Sequence, residues 1–158
     1  QRVQTQIDAF INNKGTKTVD YFHRKLGKII WNKCGMSRNE TALKEAMAEV
    51  KALREEFYKD VFVPGTADSF NEPLAKALRV ADFLELGELF AKDALVRTES
   101  CGGHFREESQ TPEGEALRDD DNFTFVSAWE YKGEPSDAKL HKEALNYENI
   151  ELKTRSYK

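Results

Sequence analysis

The sequence predicts a mainly α protein: a three-helix bundle, antiparallel, with a short extra N-terminal helix, and an extended C-terminal tail carrying a small two-stranded ribbon. Three observations lead there. Apolar residues recur every three or four positions through the first hundred residues, the period of helices with one buried face. Short, turn-rich joints separate these runs. After Gly102 the pattern changes, and aromatic residues recur at period two, the spacing of a strand. On this reading residues 1–100 form the bundle. Residues 101–158 form a tail that packs on the bundle and on domains outside this sequence.

Composition narrows the function classes. The chain has 158 residues, enough for one domain with a core, or one domain plus a tail. Its formal net charge is −4 with 33% charged residues, so no basic excess points to nucleic acid. No apolar run approaches the ~20 residues that span a bilayer. There is no charged-then-apolar leader, so secretion is not indicated. Cys34 and Cys101 lack CxxC spacing, and two reduced thiols are the preferred reading over a disulfide.

The first helix covers roughly residues 2–13. Val3, Ile7, Phe10 and Ile11 share one face, and Lys14 and Gly15 stop it. The pattern is already under way at residue 1, which reads as the C-terminal part of something longer. The second helix covers about 19–33, with Thr18 as N-cap and Val19, Phe22, Leu26, Ile29 and Ile30 as its stripe. His23 falls on that stripe. It reads as a half-buried histidine on a backbone carbonyl rather than a ligand, since no second His or Cys sits at ligand spacing.

Ser37 and Glu40 have capping-box spacing and open the third helix. Leu43, Ala46, Met47, Val50, Leu53 and Phe57 form its apolar face. Lys44, Glu45, Glu49, Lys51, Arg54 and Glu55 form a charged face read as solvated. The fourth helix starts near Asn71, with Ser69 and Glu72 as a second capping box and Pro73 in the first turn. From Leu74 to Val96 it is apolar on nearly every side, which predicts burial all round. Gly102 and Gly103 end that region. Beyond them Glu107 to Asn122 is polar and turn-rich. Phe123, Phe125, Trp129 and Tyr131 predict one strand, residues 132–142 a loop, and Leu145, Tyr147, Ile150 and Leu152 a second, weaker strand.

Chemistry concentrates in one place. Glu99, His104, Arg106, Glu107 and Glu108 read either as an active-site cluster or as a loop docked by ion pairs, and composition favours the second. No phosphate loop, GxSxG or paired zinc motif occurs. Asp119, Asp120 and Asp121 lack EF-hand spacing and read as solvated.

The segment Arg97-Thr-Glu-Ser-Cys-Gly-Gly-His-Phe-Arg-Glu-Glu108 resembles the Glu-Ser-Arg-Gly-x-His-x-Arg-x-Asp signature of succinate dehydrogenase and fumarate reductase flavoprotein subunits. Around it, residues 84–97 are similar to the family's helix leading into the signature. Arg118-Asp-Asp-Asp-Asn-Phe123 resembles its Arg-Asp-Asp-x-Asn-aromatic segment, Phe22 to Trp31 its first bundle helix, and Arg155-Ser-Tyr157 its usual end. The resemblance covers nearly the whole chain in order. The acidic insertion before Asn122 is most similar to the branch found in Bacteroides-type bacteria. Two positions depart: Cys101 stands where the signature has Arg, and Glu108 where it has Asp. The second change keeps the charge, whereas a thiol cannot replace the bidentate contacts of a guanidinium.

The resemblance implies a C-terminal domain of a longer oxidoreductase that interconverts succinate and fumarate. That parent would hold FAD covalently and pass electrons to iron–sulfur centres. The catalytic and flavin-binding groups would lie upstream, so no catalytic, cofactor-binding or metal residue is assigned here, and the isolated chain is expected to be inactive. Glu99, His104, Arg106, Arg118 and Asp119 are then expected to serve domain or subunit docking. The implied partners are the upstream flavin domain, the iron–sulfur subunit and, indirectly, a membrane anchor subunit, on the cytoplasmic side of the inner membrane. Two rivals stand beside this reading: a related flavoenzyme such as L-aspartate oxidase, and a free-standing helical interaction module.

Overall fold

The computed structural model describes residues 2–153. Helix α1 is Arg2–Asn12, α2 Val19–Lys33, α3 Glu40–Asp60 and α4 Glu72–Val96. Three two-residue strands lie at the joints: β1 Lys17–Thr18, β2 Ser37–Arg38 and β3 Val61–Phe62. The tail holds β4 Phe105–Arg106, the short helix α5 Asp120–Phe123, β5 Phe125–Glu130, a 3₁₀ turn at Pro135–Asp137 and β6 Lys139–Ala144. The expected class, a helical bundle with a small ribbon tail, is what the chain adopts.

The small strands fix the directions of the helices. β1 enters α2, β3 leaves α3, and the two pair in parallel, so the start of α2 and the end of α3 share one end of the bundle. β2, between α2 and α3, pairs in parallel with β4, which follows α4. The end of α4 therefore meets the α2–α3 joint at the opposite end. α3 runs antiparallel to both α2 and α4. Gly15 is required at the first of these meetings, because an added Cβ would come within 2.2 Å of the Asp60 carbonyl carbon.

The core lies between α2, α3 and α4. Phe22, Leu43, Leu53, Phe57 and Leu84 are its large fully buried members. Phe57 sits edge-on to Phe22 and Phe10 at 5.2 and 5.4 Å, which ties α1 to the bundle.

Several local expectations are corrected. Neither capping box forms. Asn39 caps α3 and Asn71 caps α4, each accepting from the backbone N–H three residues on. Ser37 is drawn instead into the β2–β4 pairing. α4 is not buried all round: Phe83, Leu86, Phe90 and Val96 are exposed. Arg54, read as solvated, is 7% exposed, because α4 and the tail close over it. His23 is exposed, with its ring 5.9 Å from Phe83. Both cysteines are free, Cys34 buried and Cys101 exposed.

In the tail, Phe123 ends α5 rather than starting a strand. The partner of β5 is β6 at Lys139–Ala144, which begins inside the expected loop and ends just before Leu145, where the second strand is expected to start. Only Leu140 and Ala144 of β6 are apolar, so its register is set by the turn and the neighbouring strand, not by a hydrophobic pattern. Tyr147, Ile150 and Leu152 lie outside any strand. The matched close at Arg155 and Tyr157 lies outside the described residues.

Candidate functional site

The loop that follows α4 turns back on itself at Cys101 to His104. The two backbones exchange N–H···O bonds of 2.8 and 3.0 Å, and Gly102 takes a φ of 58° at the turn. Two residues beyond this hairpin, Arg106 reaches the end of α4.

Arg106 is 2% exposed. Its Nη1 donates to the carbonyls of Ala94 and Leu95 at 3.0 and 3.1 Å, and to Arg97 at 3.4 Å. The last carbonyls of a helix have no intrahelical partner and carry partial negative charge, and the last turn of α4 has no basic residue of its own. Arg106 supplies that cation from the tail. Its Nε donates to Glu108 at 3.0 Å. Its backbone is held too, with the N–H donating to Ser100 Oγ at 2.8 Å and that hydroxyl donating back to the Arg106 carbonyl at 3.1 Å.

The two acids after it act on the start of α3. Glu108 accepts from the Glu40 backbone N–H at 2.6 Å, where a negative charge is favoured at a helix N-terminus. Partial burial opposes its ionisation. The Glu40 and Glu108 N–H groups and the Arg106 guanidinium outweigh this and hold its carboxyl below the usual carboxylate range. Glu107 accepts from Ser37 Oγ at 2.7 Å and from Asn39 Nδ2 at 3.0 Å. Residues 106–108 thus bind the end of one helix and the beginning of another.

His104 has both ring nitrogens committed. Nε2 lies 2.7 Å from the Arg97 carbonyl, and Nδ1 lies 2.7 Å from Arg38 Nη1. A guanidinium only donates, so Nδ1 accepts, and the proton sits on Nε2. Burial, and the charges of Arg38, Arg106 and Arg97, lower its pKa from the ordinary 6.5. A neutral histidine with no free nitrogen holds a loop; it is not poised to carry protons.

Glu99, 4% exposed, accepts from Arg97 Nη1 at 2.8 Å and from the Asp119 backbone N–H at 3.0 Å. Asp119 in turn caps α5, accepting from the Asn122 N–H at 3.3 Å. Arg97 also donates to the carbonyls of Phe123 and Phe125 at 3.1 and 3.2 Å and lies over both rings. Glu99, His104, Arg106 and Asp119 therefore belong to one network, with Arg97 at its centre. Arg118 stands beside it, bound to Asp120 at 2.6 and 2.9 Å and to the Lys153 carbonyl at 3.2 Å.

A second polar anchor holds the ribbon, and sequence reasoning missed it. Lys92 Nζ donates to the carbonyls of Ser136 and Ala138, both at 2.7 Å, and lies over the Trp129 ring. Trp129 Nε1 donates to Asp93 at 2.7 Å. Arg54 bonds Glu134 of the tail and lies 3.2 Å from Glu88, which is 1% exposed. Burial pushes the Glu88 carboxyl pKa up against the pull of Arg54. One signal was available: Glu88 is a lone acid in the row Ala81, Leu84, Glu88, Ala91, all on the core face of α4.

Among the described residues, no group of three His, Cys, Asp or Glu side chains is placed to hold a metal ion, and no helix is long and apolar enough to cross a membrane.

The family model "Fumarate reductase flavoprotein C-term" matches residues 23–157. The chain is 27% identical over 148 residues to the fumarate reductase flavoprotein subunit of Proteus vulgaris, covering 90% of this chain and 24% of that protein. It is 27% identical over 121 residues to the corresponding protein of Escherichia coli, covering 77% of this chain and 19% of that one. Among solved structures, E. coli quinol fumarate reductase superposes with a TM-score of 0.73 at 20% identity, over 96% of this chain and 25% of that one. The Mycobacterium smegmatis Sdh1 complex superposes equally, at 0.73 and 22% identity, over 94% and 24%. These superpositions establish the shared fold. The chain spans about a fifth to a quarter of the length of the Proteus and E. coli proteins.

Proposed function

This chain belongs to the family of fumarate reductase flavoprotein C-terminal domains, and we propose that its role there is structural. It would be the helical domain that supports the flavin-bearing part of a succinate dehydrogenase or fumarate reductase flavoprotein subunit. The family match over residues 23–157 carries this reading. The longer protein interconverts succinate and fumarate, with covalently held FAD supplying the hydride chemistry and iron–sulfur centres receiving the electrons. The catalytic groups lie in the rest of that polypeptide.

Within this reading, residues 1–100 are the supporting bundle and residues 101–158 the tail that meets neighbouring domains. Glu99, His104, Arg106, Arg118 and Asp119 are domain-packing residues. Arg106 closes the end of α4, Glu107 and Glu108 hold the start of α3, and together with these contacts the five residues give the tail one shape to present. The neighbours are the flavin domain of the same polypeptide and an iron–sulfur subunit, with a membrane anchor subunit beyond, on the cytoplasmic face of the inner membrane.

Arg106→Ala in the full flavoprotein subunit tests the assignment. Assembly with the iron–sulfur subunit is expected to weaken while the substrate KM stays near the parent value. Unchanged assembly with lost substrate binding would contradict it.

A further inference from the structure

The ribbon does not lie flat on α4. Between them runs a groove of about 400 Å³. Leu86 and Leu89 of α4 line it, together with Trp129 and Tyr131 of the tail. Asp82 and Glu85 stand among the lining residues, and no basic side chain does. Leu86 and Leu89 also belong to a second apolar hollow, with Ile30 and Phe90. Leu86 is 59% exposed and Tyr131 54%. The exposed Leu86 and Tyr131 leave apolar surface open beside the two acids.

The charges select the occupant. Arg54 Nη1 reaches Glu85 Oε1 only at 4.0 Å, beyond hydrogen-bond length, while its Nη2 is held by Glu88 and Glu134, so Glu85 is partly neutralised from the bundle side and Asp82 has no basic partner among the described residues. Lys92 is spent on tail carbonyls. The groove thus presents the Asp82 carboxylate and the partly neutralised Glu85 carboxylate beside two aromatic and two aliphatic side chains. A guanidinium meets all of these at once: it is planar, it pairs bidentately with carboxylates, and it stacks on aromatic faces. An ammonium offers only a point charge.

We infer that this groove takes an arginine-bearing segment of another polypeptide. The guanidinium lies on Asp82 and Glu85 against Tyr131, and a neighbouring aliphatic side chain covers Leu86 and Leu89. The inference rests on the groove's lining and not on the chemistry proposed for the longer protein.

Trp31→Phe in the 158-residue chain leaves Trp129 as the sole tryptophan, in the groove lining. Titration with acetyl-Leu-Arg-Leu-Arg-amide should shift Trp129 emission saturably. The affinity should fall about tenfold in the Asp82→Asn, Glu85→Gln double variant, as expected for losing charge-assisted contacts. Replacing both arginines of the peptide with lysine should also weaken it. No response to the arginine peptide would overturn the inference, as would equal binding of acetyl-Leu-Glu-Leu-Glu-amide or undiminished affinity in the double variant. Sedimentation run alongside supplies one more contrary outcome: self-association abolished by the same two substitutions would assign the groove to a second copy of this chain.

Discussion

The bundle and the tail are held by different forces. The bundle is closed by apolar burial, with Phe22, Leu43, Leu53, Phe57 and Leu84 between three helices. The tail buries little of that kind. Pro135 and Ala138 are its buried apolar residues, and it is held by side chains that reach backbone groups at helix ends and turns: Arg106, Arg97, Lys92 and Glu108. The difference teaches where directionality comes from. Apolar contact is not directional, so it sets compactness; a guanidinium on two named carbonyls sets one position of the loop.

Substitutions should separate the two regimes. Phe57→Ala should have the largest effect, about 4 kcal/mol from lost burial and the cavity left behind. Urea unfolding should report it, with hydrogen-exchange protection falling in all the long helices together. Arg106→Ala comes next, at about 3 kcal/mol, because it leaves a buried cluster of helix-end carbonyls unpartnered. Its exchange signature should be confined to residues 97–118 and the start of α3. Loss spread evenly through the bundle would erase the distinction between the two regions.

Trp129→Phe keeps most of the ring area and removes the bond to Asp93. About 1 kcal/mol is expected, read as faster exchange at β5 and β6 with the bundle unaffected.

The smallest effect is a pH dependence at His104. Its folded pKa lies below the ordinary 6.5, so the unfolded chain takes up the proton first. The stability from neutral His104 is complete above that value and is lost as pH falls through the lowered one. Glu88, raised from 4.5, has the opposite sign: its ionisation on raising the pH costs stability. The two must be separated by difference. His104→Gln should flatten the loss on acidification below pH 6.5, measured by urea midpoints against the parent. A parallel slope in both proteins would mean that His104 is not the group responsible.

The helices were legible because burial on one face writes itself into sequence at a fixed period. Phe22, Leu26 and Ile29 could be assigned with no structure in hand. The caps were misread for a local reason. Ser37 and Ser69 have the right spacing to a glutamate, but Asn39 and Asn71 sit closer to the helices and cap equally well. Arg54 and Glu88 were hidden because their partners, each other and Glu134, are far apart in sequence. The cluster around Glu99, His104 and Arg106 was visible as a concentration of charge. Its geometry was not, since the carbonyls that Arg106 binds leave no trace in residue identities. β6 was missed because Lys-Leu-His-Lys-Glu-Ala has almost no strand pattern; tertiary pairing decides it.

The most direct test of the account is a visible spectrum of the longer polypeptide that carries this chain, purified and then precipitated with acid. The account predicts flavin absorbance that stays with the precipitated protein, while the 158-residue chain alone is colourless and reduces no fumarate. Flavin released to the supernatant would favour an aspartate-oxidase type of parent, and a longer polypeptide with no flavin at all would contradict the account outright.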